Sequence, residues 1–234
     1  MQKVKSIFRG VLIFAFFLVI LLANAQAQAS TATIIEYSSR SAFAAAVPTV
    51  LVQGWDSYKD GDTFSNGSSD DKGIKYYSSF GNAMVDTVKF LCSTWPGDLG
   101  QTIDGYFYSI DTIRFVFPTP ILAFGIDVAT NSQTYAAYQA TTNLGDVAKS
   151  SLDPFPKFNY ATGKVIGVET TGQFIGFTSS EAFSEVTIAL CPGAAAFSYT
   201  LDTLRYQPVP LPGSLLLLGS GLLGLAGWRR LRKG

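Results

Sequence analysis

The chain has 234 residues, 17 basic and 17 acidic, with no histidine and a formal net charge of zero. Without histidine, the commonest general base and zinc ligand is missing, along with any Ser-His-Asp or Cys-His apparatus. The charges are also segregated: the stretch from Ser30 to Gln207 holds all 17 acids against ten bases, a charge of −7, which argues against a nucleic-acid partner because phosphate neutralisation needs clustered Lys and Arg.

At the amino end, Lys3, Lys5 and Arg9 precede an apolar run of 12 residues from Val11 to Leu22, followed by alternating alanines from Ala23 to Ala29. A positive start, a short apolar centre and small residues at alternate positions make a secretory signal peptide. Residues 1–29 are therefore expected to be removed by signal peptidase after Ala25, Ala27 or Ala29. The run is too short for a permanent anchor, which needs about 20 apolar residues.

The remaining body, about 178 residues, is the size of one domain with a substantial core. Ser38 to Val47 begins with N-cap residues, continues with alanines and stops before Pro48, which predicts a short helix. Trp55 and Tyr58 follow among small polar residues, as do Trp95, Tyr135 and Tyr138 further on. Each ring either stacks on a sugar face or anchors a turn by apolar packing. The segment from Asp56 to Gly73 is polar and rich in turn formers, and is expected to be a surface loop. Asp60 and Asp62 stand at alternate positions in it; calcium is one reading of oxygen ligands so spaced, and a solvated loop is the other.

Beyond the loop the texture is β. Ile113–Phe117, Ile121–Val128, Gln173–Phe177, Ser184–Leu190 and Phe197–Tyr206 are apolar or alternating runs bounded by Gly, Asn, Asp, Ser and Pro. Strands at such spacing predict an all-β fold, an antiparallel sandwich. Cys92 and Cys191 are the two cysteines. In an oxidising compartment a disulfide is favoured over free thiols; it would close a loop of about 100 residues, worth about 4.7 kcal/mol by chain entropy. Asp202 interrupts an apolar strand, where a buried carboxylate needs partners; backbone N–H groups are the first candidates and a structural calcium ion the second. Asp and Glu are otherwise scattered without a motif. A paired-carboxylate glycosidase is the rival to a non-enzymatic body that serves as a structural or adhesive component.

The carboxyl end reads Val209-Pro210-Leu211-Pro212, a Leu/Gly-rich apolar run of 16 residues from Gly213 to Trp228, and then Arg229, Arg230, Arg232 and Lys233. As a helix the run is about 24 Å long, slightly short of a 30 Å hydrocarbon core. Trp228 and the four charges supply an interfacial anchor and a cytoplasmic stop under the positive-inside rule. This ensemble of prolines, a Gly-Ser-Gly-Leu-bearing helix and a basic cluster resembles the PEP-CTERM sorting signal, with Leu211 where that family usually has Glu.

The resemblance implies an inner-membrane-anchored precursor in a Gram-negative bacterium. It further implies cleavage by an exosortase-type protease at Val209 to Pro212, then release or attachment at the cell surface, often where exopolysaccharide is made. The body, in Gly73–Tyr77, Pro118–Val128, Gly172–Ser179, Phe183–Ile188 and Leu201–Tyr206, is similar to a sandwich domain frequent among proteins with this tag. That likeness implies a jelly-roll-like fold and no agreed activity.

Overall fold

A computed structural model describes residues 32–86, 98–101, 107–130, 136–159, 164–196 and 198–209. The signal-peptide segment, Cys92, Trp95, Tyr135 and the tail from Pro210 through Trp228 to Lys233 lie outside them. No helix among the described residues is long and apolar enough to cross a membrane.

After β1 (Ile34–Glu36), the helix α1 (Arg40–Ala46) forms where alanines recur. Ser39 caps it, extended at φ −154° with its hydroxyl accepting the Ala42 N–H at 3.2 Å. Val47, ahead of Pro48, ends it. The polar segment that follows contains β2 (Leu51–Gln53) and β3 (Thr63–Phe64), joined by turns. Gly73, at φ +80°, closes the turn that starts at Asp70 and leads into β4 (Lys75–Ser78). Then come β5 (Ala83–Asp86), β6 (Asp98–Gln101) and β7 (Phe107–Tyr108).

The centre of the fold is β8 (Ile113–Thr130), which joins two stretches that the sequence separates at Pro118-Thr-Pro120. Prolines lack the ladder donor but hold an extended backbone, so the strand passes through them while its pairing register with β14 skips from Val116 to Ile121. After β9 (Tyr138–Thr142), β10 (Val147–Lys149) and β11 (Ser151–Leu152), the hairpin of β12 (Phe155–Asn159) and β13 (Lys164–Glu169) forms a sheet of its own. The chain then enters β14 (Gln173–Leu190), likewise one strand where two were expected, and ends in β15 (Ser198–Pro208).

The antiparallel partner of β8 is β14, and the two exchange neighbours along their length. Ile113–Val116 pair with β4 and with Glu185–Ile188, and Val186–Leu190 pair in turn with β9. Ile121–Thr130 pair instead with Gln173–Thr178 and with β15, while β1 covers the far side of β14 and β2 the far side of β15. Register shifts between Thr178 and Phe183 and between Phe183 and Glu185 of β14 lie opposite the unpaired stretch at Pro118–Pro120. The result is an all-β antiparallel sandwich. Phe115, Phe117, Phe124, Phe177 and Phe183 make ring contacts of 5.4–6.4 Å across its interior.

A smaller core lies on the outer side of this strand pair. Gly125 and Gly176 are ladder partners, and Phe43 of α1 rests on the bare backbone they leave, edge-on to Phe174 at 5.7 Å. Phe43 and Phe174 are wholly buried, so α1 is held by tertiary packing; seven residues are too few for propensity alone to sustain a helix.

Candidate functional site

Three places gather the chemistry: the end of β15, the acidic loop around Trp55, and an ion cluster under α1. β15 runs in register with β8 through Gln207 opposite Ala123 and Pro208 opposite Ile121. The Val209 N–H then donates to the Pro120 carbonyl at 3.0 Å. On its other side, Tyr206 pairs with Leu51, and Gln207 Nε2 donates to Thr49 Oγ1 at 3.2 Å. A groove lined by Pro48–Leu51 and Gln207–Pro208 runs along this end. Val209, the first residue of the proposed cleavage motif, is therefore tied to the sandwich, while Pro210, Leu211 and Pro212 lie outside the described residues.

In the acidic loop, Asp70 is a structural acceptor. Its Oδ1 takes the N–H groups of Lys72 and Ile74 at 2.9 and 2.8 Å, and its Oδ2 takes Gln53 Nε2 and the Tyr76 hydroxyl, both at 2.6 Å. Trp55 Nε1 donates to the same Tyr76 oxygen at 2.9 Å. Burial pushes the Tyr76 hydroxyl well above its ordinary range, and the Asp70 charge adds to the shift. Asp71 accepts from Gln53 and from the Tyr58 hydroxyl at 3.0 and 2.9 Å, and these two bonds hold its carboxyl below the usual range.

Trp55 and Tyr138 correct the reading of exposed sugar-stacking rings. Trp55 is 1% exposed and lies against Phe115 and Tyr76; Tyr138 is fully buried, with its hydroxyl on Thr130 and Ser198. An indole and a phenol among small polar residues in sequence are core here, because Tyr76 on β4 and Thr130 and Ser198 at the ends of β8 and β15 supply partners for their polar tips. Tyr58 is half-buried, its ring edge-on to Phe64 at 5.2 Å. Among the described residues no three His, Cys, Asp or Glu side chains converge as a metal set. Asp62 instead accepts the Lys59 N–H at 2.8 Å to close a turn, and Asp202 accepts the N–H of Thr203, which sits at φ 48° where the β15 register shifts. Asp60 stands in the turn just before Asp62. Cys191, just past β14, is buried, which raises its thiol.

The ion cluster is the group that sequence reasoning missed. Asp127, 2% exposed, accepts from Arg40 Nε on one oxygen and from Arg205 Nη1 at 3.2 Å on the other. Arg40 also holds Asp153, donating from Nη1 to its carbonyl at 2.8 Å and pairing with its carboxylate at 2.9 Å; the Arg40 backbone N–H meets that carboxylate too. The guanidinium lies over the rings of Phe155 and Phe174, at 5.0 and 5.9 Å. Burial pushes the Asp127 carboxyl up, opposed by the two arginines. The available signal was an Asp in the apolar run Ile121–Val128, the same kind of interruption that singles out Asp202. With both oxygens engaged by cations, Asp127 ties α1, β8 and β15 together.

A family model described as the PEP-CTERM protein-sorting motif matches residues 208–233. No curated protein matches the chain. Two solved structures are similar to it in part, both catalytic domains of GH87 alpha-1,3-glucanase. One, in complex with tetrasaccharides, is 10% identical over 59% of this chain and 28% of its own, with a TM-score of 0.34. The other, in complex with nigerose, is 14% identical over 77% of this chain and 29% of its own, with a TM-score of 0.31. The chain thus spans less than a third of either structure, and at these scores the likeness bears on neither substrate nor activity.

Proposed function

Because the chain carries a PEP-CTERM sorting motif at residues 208–233, which marks an exported protein with a membrane-anchoring tag before exosortase processing, we propose that its β-sandwich is a non-enzymatic passenger. Its role is structural or adhesive, at the cell surface or in an extracellular matrix. In this reading signal peptidase removes residues 1–29, the run from Gly213 to Trp228 halts transfer with Arg229–Lys233 inside, and proteolysis at Val209 to Pro212 frees the body.

One observation supports the reading most directly: β15 enters the motif without a spacer, its last ladder residue, Pro208, being the first residue of the motif. The sandwich and the tag are in this way mechanically one object until the tag is cut. The carboxylates of the body point the same way, since Asp62, Asp70, Asp127 and Asp153 each hold backbone or arginine groups of the fold. The released domain, at about −7, suits solubility and cation-bridged contact with an acidic polysaccharide.

The test is to express the full chain in strains with and without the sorting protease, and to measure the intact mass of surface and released protein. The expected mature species ends between Val209 and Pro212 only when the protease is present. Retention of the Leu/Gly tail in the competent strain would refute the sorting assignment. Glycan arrays run beside a hydrolysis screen address the body, and released sugar products would overturn the non-enzymatic role.

A further inference from the structure

From the end of β15 we infer that the uncharged strip over 44–52 is a membrane-facing surface that rests in the lipid headgroup layer while the precursor is anchored. The inference deepens the reading above, since it requires that residues 213–228 span the membrane.

Reach ties this end of the sandwich to the bilayer. Val209 is pinned to Pro120, and the apolar run starts at Gly213, four residue steps later. A fully extended chain covers at most about 3.5 Å per residue, so the anchor begins within about 14 Å of the sandwich. The headgroup region takes up roughly 5–8 Å of that distance on each face of a bilayer. What remains is no more than about two strand spacings of roughly 4.8 Å. Both neighbours of β15 at this end, β2 with the residues before it and the Pro120–Ala123 stretch of β8, therefore lie within reach of the lipid surface.

The composition of β2 and the residues before it suits such a position. No charged residue occurs from Ser41 to Trp55, in a body that carries −7. Ala44, Ala45, Ala46, Pro48 and Thr49 are exposed, and Leu51 and Val52, at 50% and 46% exposure, are among the large apolar side chains the fold leaves uncovered. An acidic domain is repelled by an anionic lipid surface; the strip carries no carboxylate itself, and Asp70 and Asp71 lie beyond its end at Gln53, so its Pro48–Leu51 end tolerates close approach and its apolar side chains gain by entering the interface. A second copy is a poorer occupant. β2 is three residues long and begins after Pro48, which makes it a weak template for edge pairing. The tail is excluded as occupant so long as its own apolar residues are drawn into the bilayer.

The test places the full-length chain in phosphatidylcholine and phosphatidylglycerol vesicles doped with a diazirine-bearing phosphatidylcholine, with adducts mapped by mass spectrometry after photolysis. Lipid adducts are expected on the tryptic peptide Ser41–Lys59 and on the Gly213–Trp228 segment, with at least fivefold fewer on peptides bearing Ile110 or Val168, which are exposed elsewhere on the fold. The double variant Leu51→Glu, Val52→Glu changes only exposed side chains; it should cut the strip adducts about fivefold and leave the anchor adducts and the circular dichroism unchanged. Adducts on the anchor with none on the strip would overturn this inference alone. Absence from the anchor as well would overturn the spanning assignment and the inference with it. Equal labelling of Ile110 and Val168, a protein–protein crosslink through the strip, or an unaltered double variant would each refute it.

Discussion

Replacing Gly176 with alanine tests the paired-glycine seat on which α1 is docked. A Cβ built at Gly176 lies 2.3 Å from Phe174 Cε1, 2.7 Å from its Cζ and 3.2 Å from Phe43 Cδ2. The strand backbone at Gly176 is in an ordinary extended conformation, so the penalty is steric. Phe174 has little room to retreat: it is wholly buried, edge-on to Phe43, and lies under Arg40 and Arg205 at 5.9 and 6.0 Å. Overpacking of this kind costs about 1–3 kcal/mol, offset by about 0.5–1 kcal/mol because glycine in a strand is itself unfavourable. The expected net loss is about 1–2 kcal/mol. Phe174→Ala alone should cost about 3–5 kcal/mol.

With the ring removed the two shortest contacts disappear and only the 3.2 Å approach to Phe43 Cδ2 remains, so Gly176→Ala made in the Phe174→Ala background should be near neutral. The resulting coupling, about 1–3 kcal/mol, is read from urea unfolding followed by tryptophan fluorescence, for which the buried Trp55 is a probe. Additivity within about 0.5 kcal/mol would refute the seat.

Three further outcomes follow from the same structure. Asp127→Ala leaves two arginines facing each other without their shared anion; each is 20% exposed, so the loss should fall near the lower end of the roughly 3–5 kcal/mol for a broken buried pair, and a loss under about 1 kcal/mol would show that the cluster carries no stability. Asp70→Ala strips acceptors from Lys72, Ile74, Gln53 and Tyr76 at once and should cost about 2–4 kcal/mol at roughly 1 kcal/mol per bond; Asp70→Asn should recover part of it, and equal unfolding midpoints for Asp70→Asn and Asp70→Ala would refute the bonding scheme. Burial raises the Tyr76 and Tyr199 hydroxyls well above 10.0 in the folded protein, so the unfolded chain releases these protons first and stability falls as pH rises past about 10. Absorbance at 295 nm should show these two ionising only on unfolding, and all 11 tyrosines ionising together near pH 10 in the folded protein would contradict it.

The short helix, the strand-rich body and the sorting motif were legible because each rests on local signals: Ser39 before a run of alanines, alternating apolar positions, and a proline-helix-arginine order at the carboxyl end. Pro118-Thr-Pro120 misled in one respect. Local chemistry marks a break there, yet the extended φ of proline lets β8 continue while its partners change. The same limit applies at Trp55 and Tyr138, whose neighbours in sequence are small and polar but whose neighbours in space are Tyr76, Phe115, Tyr199 and Thr130.

Composition and order along the chain thus determined the class of fold and the presence of a sorting tag, because strand periodicity and the sorting motif are read by short stretches of chain. Tertiary structure alone decided which charges are buried. Asp127, Arg40 and Arg205 are separated by up to 165 residues in sequence; the β8–β15 pairing brings Arg205 to Asp127, and the docking of α1 on Gly125 and Gly176 brings Arg40. It also decided that an uncharged strip lies beside the point where the chain leaves the sandwich, a juxtaposition made by the pairing of β2 with β15.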